Sequence, residues 1–473
     1  MNYNALGFKS GIEVHVQLNT SKLFCRCPSL LRRDKPHSTI KRELHPMAGE
    51  TGKIDVAALY EQKKQRHYLY ENYNDTTCLV ELDEEPPHKV NQEALKIALT
   101  VSKMLNCKIP EVLQVMRKTV VDGSNTSGFQ RTILVGKDGY FKLKSGKKVG
   151  IHYLILEEEA ARRTSEDKNS VTFRLDRLGI PLLEIVTAPD FNKPEEVQDA
   201  AETIGDLMLA TGKRMRGIGT IRQDINISIK GHPRVEIKGV QDLRHIPKVV
   251  DLEIERQSAE LKNKVKTFQH VRNVKEDFTT KFLRPLPGAA RMYPETDHPL
   301  IYIIPSLLKQ IKIPESLDSR KRRLLKLGLN EDLASQLLTH PSINFFEISV
   351  KEYKLNPKLI ATTVLSLGSE VRKKLNLEIY EPLETDLSTI FNELDKGRIA
   401  KEAVLDIFLE VAQGKPLKET IPKYALLSDT ELKSEIKKIK DQNKDIPLNR
   451  LINIAMAQLR GKADPTKVIE LLK

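Results

Sequence analysis

Polar and apolar residues alternate strictly in several short stretches of the first three hundred residues. In GIEVHVQ, Ile12, Val14 and Val16 alternate with Glu13, His15 and Gln17. An extended strand sends alternate side chains to opposite faces, so one face is apolar and the other carries a carboxylate, an imidazole and an amide in line. IRQDINISI sets Arg222, Asp224, Asn226 and Ser228 against Ile221, Ile225, Ile227 and Ile229, with Gln223 on the isoleucine face. VEIKGV sets Glu236 and Lys238 against Val235 and Ile237. TILVGKDGYFKLKSGKKVGIHYLIL predicts two successive hairpins, with turns at Asp138-Gly139 and Ser145-Gly146, residues that tolerate positive φ. PEEVQDAAETIGDLMLATG predicts a helix that starts at Pro194 and ends by Gly212.

After PETDHPLIYI the period changes. From about Pro314 the pattern is helical and dense in Lys, Leu and Ile. Gly328 closes one helix, and Asn330 caps the next, which carries Leu333 and Leu337 on one face. A helix from Asp429 buries Leu432, Ile436 and Ile439 and leaves Lys433, Lys437, Lys438 and Lys440 outside. A last helical pair flanks LRGKADP. The fold class is therefore α+β followed by all-helical modules, without repeats of solenoid period.

Composition narrows the partner. The 473 residues exceed one ordinary core. Lys+Arg 77 against Asp+Glu 64 gives +13, a surplus that favours an anionic partner such as nucleic acid, or else a solvated Lys/Glu-rich surface. No run of about 18 apolar residues is present to span a bilayer. The start lacks the layout of a secretory signal, and four cysteines are too few for a disulfide scaffold. A cytoplasmic protein is expected. Cys25, Cys27 and Cys78 are candidate thiolates for a structural zinc, but the C-x-C pair lacks the usual C-x-x-C spacing, which favours reduced, unliganded thiols.

Acids in places that resist them are the candidate chemistry. Glu184 sits inside the apolar run LGIPLLEIVTAP, and Glu157, Glu158 and Glu159 follow a hydrophobic strand. A buried carboxylate needs a cation or donors, and carboxylates with one imidazole suit a hard divalent ion. The alternatives are a solvent face for Glu13 and His15 and a buried salt bridge for Glu184. DGSNTSGFQRT, preceded by Arg117 and Lys118, offers backbone N–H groups to phosphate but lacks a Walker ending. RPLPGAARMYPETD, with Gly288-Ala289-Ala290, Arg284, Arg291 and Glu295, reads as a rigid connection facing a ligand or bracing a junction. No Ser-His-Asp signature or dinucleotide fingerprint occurs.

GIEVHVQLNTSKLFCRCP, TCLVELDEEPPH, RKTVVDGSNTSGFQRT, LEEEAARR, DRLGIPLLEIVTAPD, GTIRQDINISIKG, VEIKGVQDL and RPLPGAARMYPETD together resemble, in this order, the GatE chains of archaeal glutamyl-tRNA(Gln) amidotransferases, in the GatB/GatE family. The G-[IL]-E-V-H-V, PLLEIV and D-x-N-I-S elements are similar to those of the related GatB chains. The resemblance implies a β-rich catalytic cradle, similar to glutamine synthetase, over residues 1-300. It further implies an all-helical domain over 301-395 and a YqeY-like helical tail over 396-473 that binds tRNA. The implied activity is a ligase reaction: ATP with Mg²⁺ phosphorylates the γ-carboxylate of glutamate misacylated on tRNA(Gln). Ammonia from a glutaminase partner, the asparaginase-like GatD, then gives Gln-tRNA(Gln), in a heterotetramer of two GatD and two GatE chains.

By the same resemblance Glu13, His15, Glu158 and Glu184 are the implied Mg²⁺ ligands, and Lys118, Glu158 and Glu184 the implied catalytic residues. Arg117, Lys118, Ser124, Asn125, Arg222, Asp224, Asn226, Glu236 and Lys238 are the implied lining of the ATP and glutamyl pocket. One departure stands out. The family's inserted domain, resembling one in aspartyl-tRNA synthetases, is replaced by the short stretch NVKEDFTTKFL. A carboxylate–ammonia ligase acting on a free small molecule and a non-catalytic tRNA-binding scaffold are the alternative functions.

Overall fold

The computed structural model describes residues 1–45, 52–54, 56–286, 292–443, 446–459, 461–463 and 465–473. Gly288, Ala289, Ala290 and Arg291 of the proline-rich connection, and Arg460 and Asp464 of LRGKAD, lie outside the described residues. The chain forms two compact units, Met1–Ser316 and Leu317–Lys473.

The first unit holds sixteen described strands: β1 Lys9–Gln17, β2 Ser38–Arg42, β3 His67–Asn72, β4 Val112–Leu113, β5 Val115–Thr119, β6 Phe129–Lys142, β7 Lys148–Glu158 and β8 Arg162–Glu166, then β9 Ser170–Arg174, β10 Pro181–Thr187, β11 Ile221–Ser228, β12 Val235–Lys238, β13 His270–Val274, β14 Thr280–Pro285, β15 Met292–Pro294 and β16 Ile301–Tyr302. Ten of them form one mixed sheet in the order β14-β13-β12-β11-β1-β10-β7-β6-β5-β15. The first strand of the chain thus lies at its centre. Its apolar face, Ile12, Val14 and Val16, joins Ile225, Ile227, Val235, Ile237 and Ile185 in one core. The helices α1 Val56–Gln62, α2 Gln92–Met104, α3 Pro194–Ala210 and α4 Ile246–Lys262 follow in chain order. Of these, α3 packs on β1, α4 on β11, and α2 on β6 and β7. Pro194 opens α3 and Gly212 follows it at φ +64, as the sequence predicts. A smaller sheet, β2-β3-β9-β8, has its own core around Tyr68, Tyr70, Phe173 and Leu178.

The stretch read as two hairpins is one. β6 continues through Asp138-Gly139 and pairs with β7 as far as Lys142, and the chain reverses only around Gly146, at φ +85. Gly139 has another purpose. A Cβ on it would lie 2.5 Å from both Cys107 Sγ and Leu105 O, because the end of α2 crosses the strand there. β13 and β14 form a tight hairpin. Lys275 N donates to Thr279 O at 2.8 Å, and Asp277 Oδ1 accepts from the Thr279 N–H and hydroxyl at 3.0 and 2.6 Å.

The named elements of the second unit are all helices, with one antiparallel bridge between Ile399 and Ala425. Leu324, Leu337, Phe346, Ile360, Phe391 and Phe408 centre one hydrophobic cluster, and Leu432, Ile436, Ile439, Leu451 and Val468 a second. Asn330 Oδ1 accepts from Leu333 N at 2.9 Å, fulfilling the predicted cap. The helix Asp429–Gln442 is capped reciprocally by Ser428 and Glu431. Among the described residues no helix is long and apolar enough to cross a membrane.

Gly139→Ala is expected to destabilise the first unit by about 1–3 kcal/mol, the usual range for overpacking. Urea denaturation followed by circular dichroism measures it, with Gly146→Ala, whose added Cβ meets nothing within 4 Å, as the comparison for positive-φ strain alone.

Candidate active site

Register builds the site. In antiparallel pairs, residues directly opposite one another share a face. His15 lies opposite Glu184 on one side and Arg222 on the other, and Glu13 opposite Asp224. Leu182 pairs with Glu157, Thr132 with Glu157, Gln130 with Lys118, and Asn226 with Glu236. Seven adjacent strands, β12 to β5, therefore turn polar side chains to the face away from the core. A cavity of about 780 Å³ opens on that face, lined among others by His15, Lys118, Glu157, Glu159, Arg222, Asp224 and Lys238.

Cations interleave the acids. Lys118 Nζ lies 2.5 Å from Glu157 Oε2 and 3.5 Å from Glu184 Oε2. Lys238 Nζ lies 2.5 Å from Asp224 Oδ2 and 2.7 Å from Glu236 Oε1. His15 stands between the two groups, 3.9 Å from Glu184 by Nε2 and 3.9 Å from Asp224 by Nδ1. Asn226 Nδ2 donates to Glu13 Oε1 at 2.9 Å. Burial, then the Glu236 and Glu184 carboxylates, push Glu13 up to about 7. Burial raises Glu157 as well, against the pull of Lys118. Burial alone would lower Lys238; Asp224 and Glu236 outweigh it and hold its ammonium form.

One ligand atom from each of His15, Glu157 and Glu184 falls within 4.8 Å of the others. Two carboxylates and an imidazole suit a hard divalent ion, and Glu13 is two residues from His15 on the same strand face. Of the implied ligands, the structure brings together His15 and Glu184, with Glu13 beside them, but not Glu158. That residue pairs with Pro181, so its side chain faces the other side of the sheet. There it accepts from Arg131 NH1 at 3.1 Å, and Arg131 Nε reaches Glu295 at 2.9 Å. Glu157 takes its place in the cluster.

The implied pocket residues divide in the same way. Lys118, Arg222, Asp224 and Lys238 line the cavity, and Asn226 and Glu236 touch residues of its face. Arg117 turns away to Glu295, at 2.5 Å, and stacks on Phe129. Ser124 Oγ donates to Asp122 Oδ1 at 2.6 Å, and Asn125 is buried; neither lines the cavity. Glu159, a candidate acid in the sequence but not one of the implied site residues, lines the cavity and accepts from Gln17 Nε2 at 2.8 Å and from Arg222 NH2 at 2.7 Å.

A second cluster forms elsewhere in this unit. Cys25, Cys27, Cys78 and Glu81 each offer one atom within 4.8 Å of the rest. Cys25 Sγ donates to Glu81 Oε1 at 2.8 Å, the Cys78 N–H to Glu81 Oε2 at 2.8 Å, and the buried Lys22 ammonium lies 3.4 Å from Glu81. Hydrogen bonds from Cys25 and Cys78 hold the Cys27 thiol down to about 4, while bonding to Cys27 and Cys78 pushes Cys25 up. Glu81 was missed, although Cys78-x-x-Glu81 has the spacing of a C-x-x-C ligand pair.

Comparison with known proteins follows this division. Residues 8–309 match the GatB/GatE catalytic domain, and residues 344–473 match the GatB domain. The chain belongs to the GatB/GatE family. It is 35% identical to the E subunit of the glutamyl-tRNA(Gln) amidotransferase of Pyrobaculum islandicum, over 98% of each chain. It is likewise 35% identical to that of Methanocaldococcus jannaschii, over 100% of this chain and 99% of the relative. The alignments run over 601 and 624 positions against 473 residues here, so these relatives carry residues without a counterpart in this member. That agrees with the missing inserted domain.

The site sets a pH dependence. Glu13 has its folded pKa, about 7, above the ordinary 4.5, so its charging opposes folding as pH rises through that window. In EDTA, wild type should lose stability between pH 5 and pH 8, and Glu13→Gln should lose ~3 kcal/mol less across the same range. Urea denaturation at four pH values checks this; parallel curves for both chains would remove Glu13 as the cause.

Proposed function

We propose that this family member is the transamidating component of a tRNA-dependent amidotransferase acting on Glu-tRNA(Gln). The observation that carries this reading is the lysine-bridged His15–Glu157–Glu184 cluster at the wall of the cavity, in a chain similar along its length to GatE relatives. An oxygen of the glutamyl γ-carboxylate attacks the γ-phosphorus of ATP, ADP leaves, and an acyl phosphate forms. The lone pair of ammonia then attacks the acyl carbon, the bond to phosphate breaks, and the nitrogen gives up a proton. A carboxylate is a poor acyl donor and its mixed anhydride a good one.

His15, Glu157 and Glu184, with Glu13, would hold Mg²⁺, whose chemistry is neutralisation of the triphosphate and the transferring group. Lys118, Lys238 and Arg222 add fixed positive charge to the same face. Ammonia is proposed to come from an asparaginase-like glutaminase, GatD, in a heterotetramer of two GatD and two GatE chains in the cytoplasm. The helical second unit, within the domains expected at 301-395 and 396-473, is proposed to hold the tRNA, with Lys433, Lys437 and Lys438 exposed for phosphate contact. We also propose zinc for Cys25, Cys27, Cys78 and Glu81, since three thiols and a carboxylate complete four ligands.

Reconstitution with the GatD glutaminase, Glu-tRNA(Gln), ATP, Mg²⁺ and glutamine should yield Gln-tRNA(Gln); none from a confirmed complex would end the proposal. Glu184→Ala and Glu157→Ala should lower kcat by about 100-fold or more while tRNA affinity holds. Glu158→Gln should instead reduce stability, and a loss of Mg²⁺ affinity in that variant alone would restore it to the metal site. Elemental analysis should find one zinc per chain, lost in Cys78→Ser.

A further inference from the structure

At the rim of the cavity the chain TGKRMRGIGT makes a loop with an unusual tip. Ile218 is 100% exposed, and it lines the cavity mouth. Single exposed apolar residues need no explanation by themselves. This one is held in place. Gly217 at φ +117 and Gly219 at φ +82 flank it, conformations that residues with a Cβ rarely adopt. The loop is anchored at both ends on β1: Met215 N donates to Gln17 O at 2.8 Å, and Gln17 N to Thr220 O at 2.9 Å. Thr220 Oγ1 ties the interior together through Gly217 O at 2.9 Å and Met215 O at 3.2 Å. The side chain of Gln17 bonds Glu159, so the loop rides on the polar face of the sheet.

Charge surrounds the tip. Lys213 is held by Glu93 at 2.7 Å. Arg214 has its Nε buried without a hydrogen-bond partner among the described residues. Arg216 is exposed, and partial burial and the nearby Arg214 guanidinium hold it below its ordinary value. Two guanidiniums near one another beside an exposed isoleucine fit a ligand that is anionic along its length and flat and apolar at intervals. Single-stranded nucleic acid has that chemistry: phosphates meet arginines, unstacked bases stack on guanidinium planes, and their apolar faces leave water against an exposed aliphatic side chain. ATP shares it in part. However, the acids and lysines that would meet its phosphates lie on the sheet, whereas Arg214 and Arg216 stand outside on the rim. A polymer that enters the cavity by its end uses both.

We infer that the Arg214–Gly219 loop receives the unpaired 3′ end of the tRNA, with a terminal base against Ile218 and the preceding phosphates on Arg214 and Arg216. This rests on the proposed function and assigns the residues that deliver the aminoacyl end to it. The loop would then set how far the end reaches into the cavity.

The test uses the full chain with two RNA minihelices, one ending in the unpaired 3′ nucleotides of a tRNA and one cut back to the duplex. Fluorescence anisotropy should show wild type preferring the complete minihelix by about tenfold, within the range for one base contact plus phosphate contacts. Ile218→Asp should reduce that preference to less than about twofold, and Arg216→Glu should lower the affinity and its salt dependence together. In steady state both variants should raise KM for Glu-tRNA far more than they lower kcat. Unchanged preference in Ile218→Asp, or no preference in wild type, overturns the assignment. Weakened ATP binding with unaltered minihelix binding also overturns it, in favour of the mononucleotide. Amidation by wild type, measured in parallel, reads the proposed function separately. A wild-type chain that amidates while its Ile218 variant discriminates normally would sink the loop's role alone.

Discussion

Coulomb repulsion among Glu13, Glu157, Glu184, Asp224 and Glu236, crowded on one half-buried sheet face, is the constraint to which the rest of the first unit answers. Charges this close are expensive out of bulk water unless opposite charges sit among them. Lys118 and Lys238 do this from opposite ends of the row, each bridging two acids, and His15 separates the two groups. The arrangement requires β1 to lie between β10 and β11. It therefore requires the chain to bring its first strand against segments about 170 and 210 residues away. A protein needing only stability would do better with apolar residues here; the face is organised to handle charge.

The same strands carry a second ionic layer. Arg117 and Lys118, Gln130 and Arg131, and Glu157 and Glu158 are neighbours that point to opposite sides. The side away from the cavity joins Glu158, Arg131, Glu295 and Arg117, with Arg131 also over the rings of Phe24 and Phe129. Arg131 and Glu295 are buried, so this layer fixes the lateral positions of β5, β6 and β7 with charge-assisted bonds rather than apolar packing alone. Geometry on the cavity side inherits that fixity through a shared backbone.

What could be read in the sequence followed from periodicity within a segment. The polar faces of β1, β11 and β12, the limits of α3, the Asn330 cap and the helical second unit all came from local pattern, because each depends on residues a few positions apart. Register between distant strands does not. Glu157 and Glu158 are equally acidic, and only the pairing of Pro181 with Glu158 decides which one meets His15. Ser124 and Asn125 have the residue types of a phosphate loop, yet neither lies on the cavity. Asp138-Gly139 has turn chemistry, but its glycine answers to the backbone at the end of α2 passing overhead. Glu81 offers an oxygen where a sulfur is customary, so the x-x spacing after Cys78 does not read as a thiolate pair.

The β13–β14 hairpin includes NVKEDFTTKFL, the short stretch that the sequence resemblance puts in place of an inserted domain. Its two strands stay hydrogen-bonded to each other up to the five-residue connection between Val274 and Thr280. The chain thus leaves the sheet and returns at nearly one point. Closing a longer loop there adds only ~0.6 kcal/mol for each doubling of its length, so the sheet is almost indifferent to the size of what hangs from that corner. Modules can be gained or shed at such a junction without renegotiating the pairing beneath them, and lineages with and without the appendage can share one catalytic framework.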